Sequence, residues 1–285
     1  MGQVIASLGA NDPRHDQYGK TDFRLSRQLR SYEREDPAPE RVKPIPTSVL
    51  HHLFNRCSRG DAKQQCVADL IWIAFYFLMR PGEYCCAGRN NTSEAFRLRN
   101  VTFRRNKRTL DAHRNTLGRL QRADHVALTF TKQKNGVKGE AIGTRRSGHP
   151  TGCAVLRILH RVAYLRCCGA PRDIPLASYH DGNEWRTVKS ADFTHELRTS
   201  IAAIGPSVGL QPHEVSARSL RASGAMALLL AGVDTDIIRI IGRWRSNAML
   251  RYLHVTARTL THNHAQLMHA AGDYDLLAPT DNDDT

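Results

Sequence analysis

Residues 70–79 read LIWIAFYFLM, ten consecutive side chains without a charge. The run is too short to span a bilayer, and in water it leaves no face for solvent. It therefore predicts a buried central helix, from about residue 61 to residue 79, with the remaining elements packed around it. The run stops at Arg80-Pro81-Gly82-Glu83. An arginine there has an ordinary explanation, since a cation at a helix C-terminus answers the helix dipole.

A second constraint lies in residues 213–255, HEVSARSLRASGAMALLLAGVDTDIIRIIGRWRSNAMLRYLHV. Arg218 and Arg221 head an apolar Ala/Leu-rich helix that stops at the turn around Gly232. A second apolar helix, residues 236–241, breaks at Gly242 and leads into Arg243, Trp244 and Arg245, and Tyr252 follows on a short amphipathic segment. Short helices that bring several arginines, a tryptophan and a tyrosine to one surface are suited to phosphodiester chemistry. Guanidinium forks grip phosphate oxygens at two points and oppose the charge that builds on a five-coordinate phosphorus. A tyrosine hydroxyl can act as a covalent nucleophile, with no metal or cofactor in the reaction.

Charge points to the same partner. Against 27 acidic residues stand 41 basic ones, a formal net charge of +14 and a pI near 9.9. Such an excess favours a polyanion, because each neutralised phosphate releases counterions. The N-terminus lacks a basic region followed by an apolar core, so no secretory signal is expected. Seven cysteines, including the adjacent pairs Cys85-Cys86 and Cys167-Cys168, fit a reducing intracellular compartment better than a disulfide framework.

Taken in order, residues 1–46 form a polar N-terminal extension with one plausible helix at 23–33, ending in the basic, proline-rich linker RVKPIP at 41–46. A helix begins at Thr47-Ser48, with Ser/Thr as N-cap, and turns Val49, Leu50, Leu53 and Phe54 to one face. Residues 98–103 and 125–131 alternate as strands do, and Asn135-Gly136 predicts a tight hairpin with Lys134 at its tip between Lys132 and Lys138. Ala154, Val155, Ile158, Leu159, Val162 and Leu165 recur at helical spacing; residues 173–186 read as a loop; residues 190–204 read as a helix stopped by Gly205-Pro206. The predicted fold is α+β, mostly helical, with a small antiparallel β-sheet of three strands carrying Lys134. Residues 47–272 make the main domain, and 273–285 an acidic, disordered tail.

These residues resemble the tyrosine recombinases, the phage-integrase family. The family's first box is an arginine followed three residues later by a glutamate at the end of a buried helix, matched by Arg80 and Glu83. Its second is His-x-x-Arg, here Arg218-Ser219-Leu220-Arg221, with the family's spacing of eleven residues from Arg221 to Gly232. A Gly-His or Gly-Trp pair and the nucleophilic tyrosine follow. From Arg221 to Tyr252 the chain is one residue shorter than the usual pattern. The His/Trp position therefore falls on Trp244 counted from Arg221, or on Arg243 counted back from Tyr252. The details look most similar to recombinase-like proteins of eukaryotic mobile elements, of the Crypton or DIRS type.

The resemblance implies an integrase-like catalytic fold that cuts and rejoins double-stranded DNA through a 3′-phosphotyrosine link, without cofactor, metal or nucleotide. Arg80 and Arg221 would hold the scissile phosphate and Glu83 would support Arg80. Lys134 would protonate the leaving 5′ oxygen, with Lys132 the second choice. Lys132, Lys138, Arg245, His213 and His254 would contact DNA. Arg218 stands where the family usually has histidine; it can hold phosphate but cannot exchange protons near neutral pH, which leaves His213 or His254 for that role. The family works as tetramers on DNA and exchanges a C-terminal segment between subunits, here residues 256–272. Residues 1–46 would be the remnant of its core-binding domain. An intracellular location follows, nuclear if the source is eukaryotic.

Two other functions stay open on the sequence. One is a decayed or domesticated mobile-element protein that binds DNA without cutting it. The other is a helical protein-interaction scaffold, against which the pI speaks. His51, His52, Cys57 and Cys66 match no zinc-finger spacing, and no glycine-rich nucleotide loop is present.

Overall fold

The computed structural model describes residues 42–86, 93–131 and 139–244. They form a mostly helical α+β arrangement with a small antiparallel sheet. The central helix α2 (Ala62–Tyr76) starts at a capping box. Asp61 Oδ1 accepts the Gln64 amide at 2.8 Å, and Gln64 Oε1 accepts that of Asp61 at 3.3 Å. Every residue from Cys66 to Phe75 is buried. Around α2 pack α1 (Thr47–Cys57), α5 (Ala154–Cys167) and α7 (Ser219–Leu230), while α6 (Ser190–Val208) lies against α1. The enclosed Val, Leu, Ile and Phe side chains of α2 each contribute about 1.5–3 kcal/mol.

The expected apolar faces are the buried ones. Val49, Leu50, Leu53 and Phe54 of α1 are buried, as are all six positions named for α5. Among the described residues no helix is long and apolar enough to cross a membrane.

Five local expectations are corrected. The cap of α1 is not Ser or Thr: Pro46, in extended geometry, occupies that position without a side-chain bond. Helix α2 ends at Tyr76, three residues early, because Leu78 adopts a left-handed backbone with φ 48°. The sheet has four strands rather than three, in the order β2-β1-β3-β4, with β1 Val101–Arg105, β2 Arg108–Asp111, β3 His125–Phe130 and β4 Glu140–Arg145. Strand β2 (RTLD) lacks apolar alternation and exists by pairing with β1, from Arg105↔Arg108 to Thr102↔Asp111. The loop read over 173–186 contains a hairpin of β5 (Ser178–His180) and β6 (Trp185–Thr187), with Gly182 at φ 106° in its turn. Helix α6 runs through Pro206 to Val208, since a proline in a last turn forfeits one bond without stopping the helix.

The end of the expected linker is pinned to the domain. Lys43 N donates to Glu214 O at 2.9 Å, and Ile45 N to Ser223 Oγ at 2.8 Å. Helix α7 crosses α2 closely enough that a Cβ on Gly224 would sit 2.1 Å from the Phe75 carbonyl oxygen. That approach sets where Arg221, one turn earlier, meets the end of α2.

Candidate active site

The chain leaves α2 through Leu78, whose left-handed conformation costs about 1–2 kcal/mol for a residue with a Cβ. Its side chain offsets the strain by packing, 1 % exposed, with Ala225 and Ile238. The Leu78 carbonyl accepts from Arg221 Nη1 at 2.9 Å and from Arg243 Nη2 at 3.4 Å. Two residues on, Arg80 is extended ahead of Pro81, which opens the short helix α3 (Pro81–Tyr84).

Glu83 is the hub. Its carboxylate is fully enclosed and accepts the Arg80 amide at 2.8 Å, Arg80 Nη1 at 3.1 Å and Arg243 Nη2 at 2.7 Å. Arg243 is 5 % exposed, at the left-handed C-cap (φ 57°) of α8 (Thr235–Gly242). Its guanidinium also donates to Phe77 O and Ile241 O, both at 3.2 Å, and lies 3.9 Å over the Phe130 ring at the end of β3. Burial presses its pKa below the ordinary value and Glu83 opposes that shift. A guanidinium so placed still keeps its proton.

Arg221, 4 % exposed in the first turn of α7, donates to Leu78 O and Gly242 O and lies 4.1 Å over the Trp244 ring. Gly242 permits that stacking, because a Cβ there would fall 1.5 Å from the Trp244 ring. Two guanidinium groups, those of Arg80 and Arg243, thus hold the Glu83 carboxylate, and a third, that of Arg221, is anchored beside them on the Leu78 and Gly242 carbonyls at the junction of α2, α7 and α8. Arg80, with 26 % of its side chain exposed, is the member that reaches solvent.

The two candidates for the His/Trp position part company here. Trp244 stacks on Arg221, while Arg243 is a buried partner of Glu83. Arg218 is exposed at the N-cap position of α7, and His213 is exposed in the 3₁₀ turn Pro212–Glu214. Neither makes a side-chain bond to the cluster. Lys132, Lys134, Lys138, Arg245, Tyr252 and His254 lie outside the described residues. Sequence reasoning missed the carbonyls of Leu78 and Gly242, which orient Arg221. The one available signal was the glycine before Arg243-Trp244.

No family model matches the chain, and no curated protein does. It is similar to solved structures of XerA recombinase (14 % identity, 84 % of this chain and 67 % of that one, TM-score 0.48) and of the Tn1549 transposon integrase in complex with circular intermediate DNA (14 %, 81 % and 66 %, TM-score 0.43). The Tn1549 integrase with transposon right end DNA gives 13 % identity, 84 % and 68 % coverage, and TM-score 0.46. The chain spans about two thirds of the length of these proteins. Function has to be judged from the residues of the cluster.

Proposed function

We propose that the protein cuts and rejoins double-stranded DNA through a 3′-phosphotyrosine intermediate, with the arginine cluster as the phosphate site. The observation that carries this is the convergence of Arg80, Arg221 and Arg243 on the segment from Phe77 to Glu83. Three guanidiniums gathered at one junction, two of them paired with the single Glu83 carboxylate, leave an excess of two positive charges, and Arg80 faces solvent. Prearranged cations of that kind stabilise the charge that develops when a phosphorus is attacked.

In this scheme Tyr252 Oη attacks the scissile phosphorus in line, the bond from phosphorus to the 5′ oxygen breaks, and Lys134 donates a proton to that oxygen. The tyrosine proton passes to His213 or His254, since Arg218 cannot take it. The covalent link keeps the energy of the broken bond, so the strand can be rejoined to another 5′ end without a cofactor. Lys132, Lys138 and Arg245 would hold the flanking backbone. Assembly as a tetramer on DNA, with residues 256–272 exchanged between subunits, belongs to the same proposal.

A DNA-binding protein that no longer cuts is the alternative. It is favoured by one specific feature: Arg221 is nearly enclosed and spends two donor groups on backbone carbonyls. Incubation with nicked suicide duplexes drawn from a pool of sequences separates the two. A covalent complex on a denaturing gel, lost in Tyr252→Phe, supports cleavage. Salt-sensitive binding without any adduct supports the alternative.

A further inference from the structure

Strand β3 has two ends, and only one of them faces the arginine cluster. Phe130 lies under Arg243, whereas His125, five residues earlier, pairs with Arg104 on β1 and Arg145 on β4. At about 3.4 Å per residue the two ends are about 17 Å apart. At the far end, the β1–β2 turn and α4 (Leu117–Leu120) enclose an open groove of about 850 Å³, lined by Arg105, Lys107, Arg108, Arg119 and Arg122. Arg104 and Arg145 flank it, and all seven side chains are exposed.

None of the seven makes an ion pair among the described residues. Of the neighbouring acids, Asp124 lies within the patch beside Arg104, Lys107 and Arg145, and Asp111 is engaged elsewhere. Asp124 accepts the Asn106 amide at 3.1 Å, and Asp111 accepts the amides of His113 and Arg114 and pairs with Arg172. Seven cations on β1, β2, β4, the β1–β2 turn and around α4, against the single Asp124 carboxylate, repel one another, and a polyanion is the ligand that relieves this.

We propose that this groove is a second DNA-binding surface, which takes the phosphate backbone of a duplex away from the arginine cluster and without base recognition. The proposal rests on the reading of the protein as DNA-binding, but not on strand cleavage. Two features select the duplex. No aromatic side chain lines the groove, whereas surfaces for single strands stack bases on aromatic rings. The exposed large apolar residues among those described, Leu230, Ile237 and Ile240, lie on α7 and α8, so this end lacks the apolar anchor a membrane surface takes.

The test is the salt dependence of binding of a fluorescein-labelled, mixed-sequence duplex to the full chain and to the triple variant Lys107→Gln/Arg108→Gln/Arg119→Gln. The substituted side chains are exposed, so the variant should melt as the parent does. With three phosphate contacts removed, the slope of log K against log salt should become shallower by about 2.7. A parent that binds duplex and a variant with the same slope and affinity would overturn this proposal and leave the proposed function standing. A parent that binds no duplex at all would overturn the DNA reading itself, and this groove with it. Unchanged duplex binding, with loss of binding to the labelled single strand or to phosphatidylserine vesicles, would assign the groove to that partner instead.

Discussion

Arg243 and Glu83, 160 residues apart in the chain, meet through a 2.7 Å Nη2 to Oε2 bond with side chains 1 % and 0 % exposed. The bond ties the end of α8 to α3, the short helix that follows α2, and the same carboxylate orients Arg80. One buried charge pair thus fixes both the fold at this junction and the one arginine of the cluster that reaches solvent.

Removing the carboxylate should be costly. Glu83→Gln leaves a buried guanidinium without its counterion, and the expected loss is about 3–5 kcal/mol in urea unfolding. The double variant Glu83→Gln/Arg243→Met should lose less than the sum of the two single changes. A loss below about 1 kcal/mol for Glu83→Gln would contradict the pairing.

Gly224→Ala tests the crossing of α7 over α2. Helix propensity alone would favour alanine by about 1 kcal/mol. The 2.1 Å approach of its Cβ to the Phe75 carbonyl should outweigh this by forcing the helices apart, a net destabilisation of about 1–3 kcal/mol. A neutral or raised melting temperature would show that the crossing is looser.

Trp244→Ala and Gly242→Ala should act through the same contact. Each takes the indole away from Arg221, one by deletion and the other because the new Cβ occupies the ring's place. The stacking contributes about 0.5–2 kcal/mol. Either change should lower the yield of covalent DNA complex, and the double variant should fall no further than the worse single one. Full additivity would place the two residues in separate roles.

The thiols give a prediction in pH. Burial pushes Cys57 up from 9.0 to about 12 and Cys66 to about 11. Because the folded values are raised, the stability linked to these groups is fully present below the unfolded value. It is lost as pH rises from about 9 through the folded values, where only the unfolded chain ionises freely. Unfolding free energy should therefore fall above about pH 9, and less so in Cys66→Ala. At pH 8 a disulfide reagent should label the exposed Cys86, Cys167 and Cys168, and reach the four buried thiols only after unfolding.

The helices were legible because burial is periodic along α1 and α5 and continuous along α2. The apolar run at 70–79 and the spaced residues of α5 leave one packing solution each. Strand β2 was not legible, since its arginine-rich RTLD is held by pairing with β1 rather than by a buried face. Helix α2 stopped early for a reason no local propensity carries: the left-handed Leu78 is stabilised by Arg221 and Arg243, more than 140 residues away. At the site, Arg80, Arg221, Arg243 and Trp244 were picked out by resemblance to family motif boxes, as was Arg218, which stands exposed apart from the cluster. That Glu83 would serve two arginines had no signal near it in the chain. The groove between β1, β2 and α4 was missed because its cations come from separate elements.

The most direct measurement is the identity of the covalent link. A nicked suicide duplex is incubated with the protein, the complex is digested with nuclease and protease, and the nucleotide-bearing peptide is identified by mass. The account predicts a 3′-phosphate ester on Tyr252, absent in Tyr252→Phe and strongly reduced in Arg80→Ala. An adduct on another residue, or tight duplex binding with no adduct on any tested sequence, would contradict it.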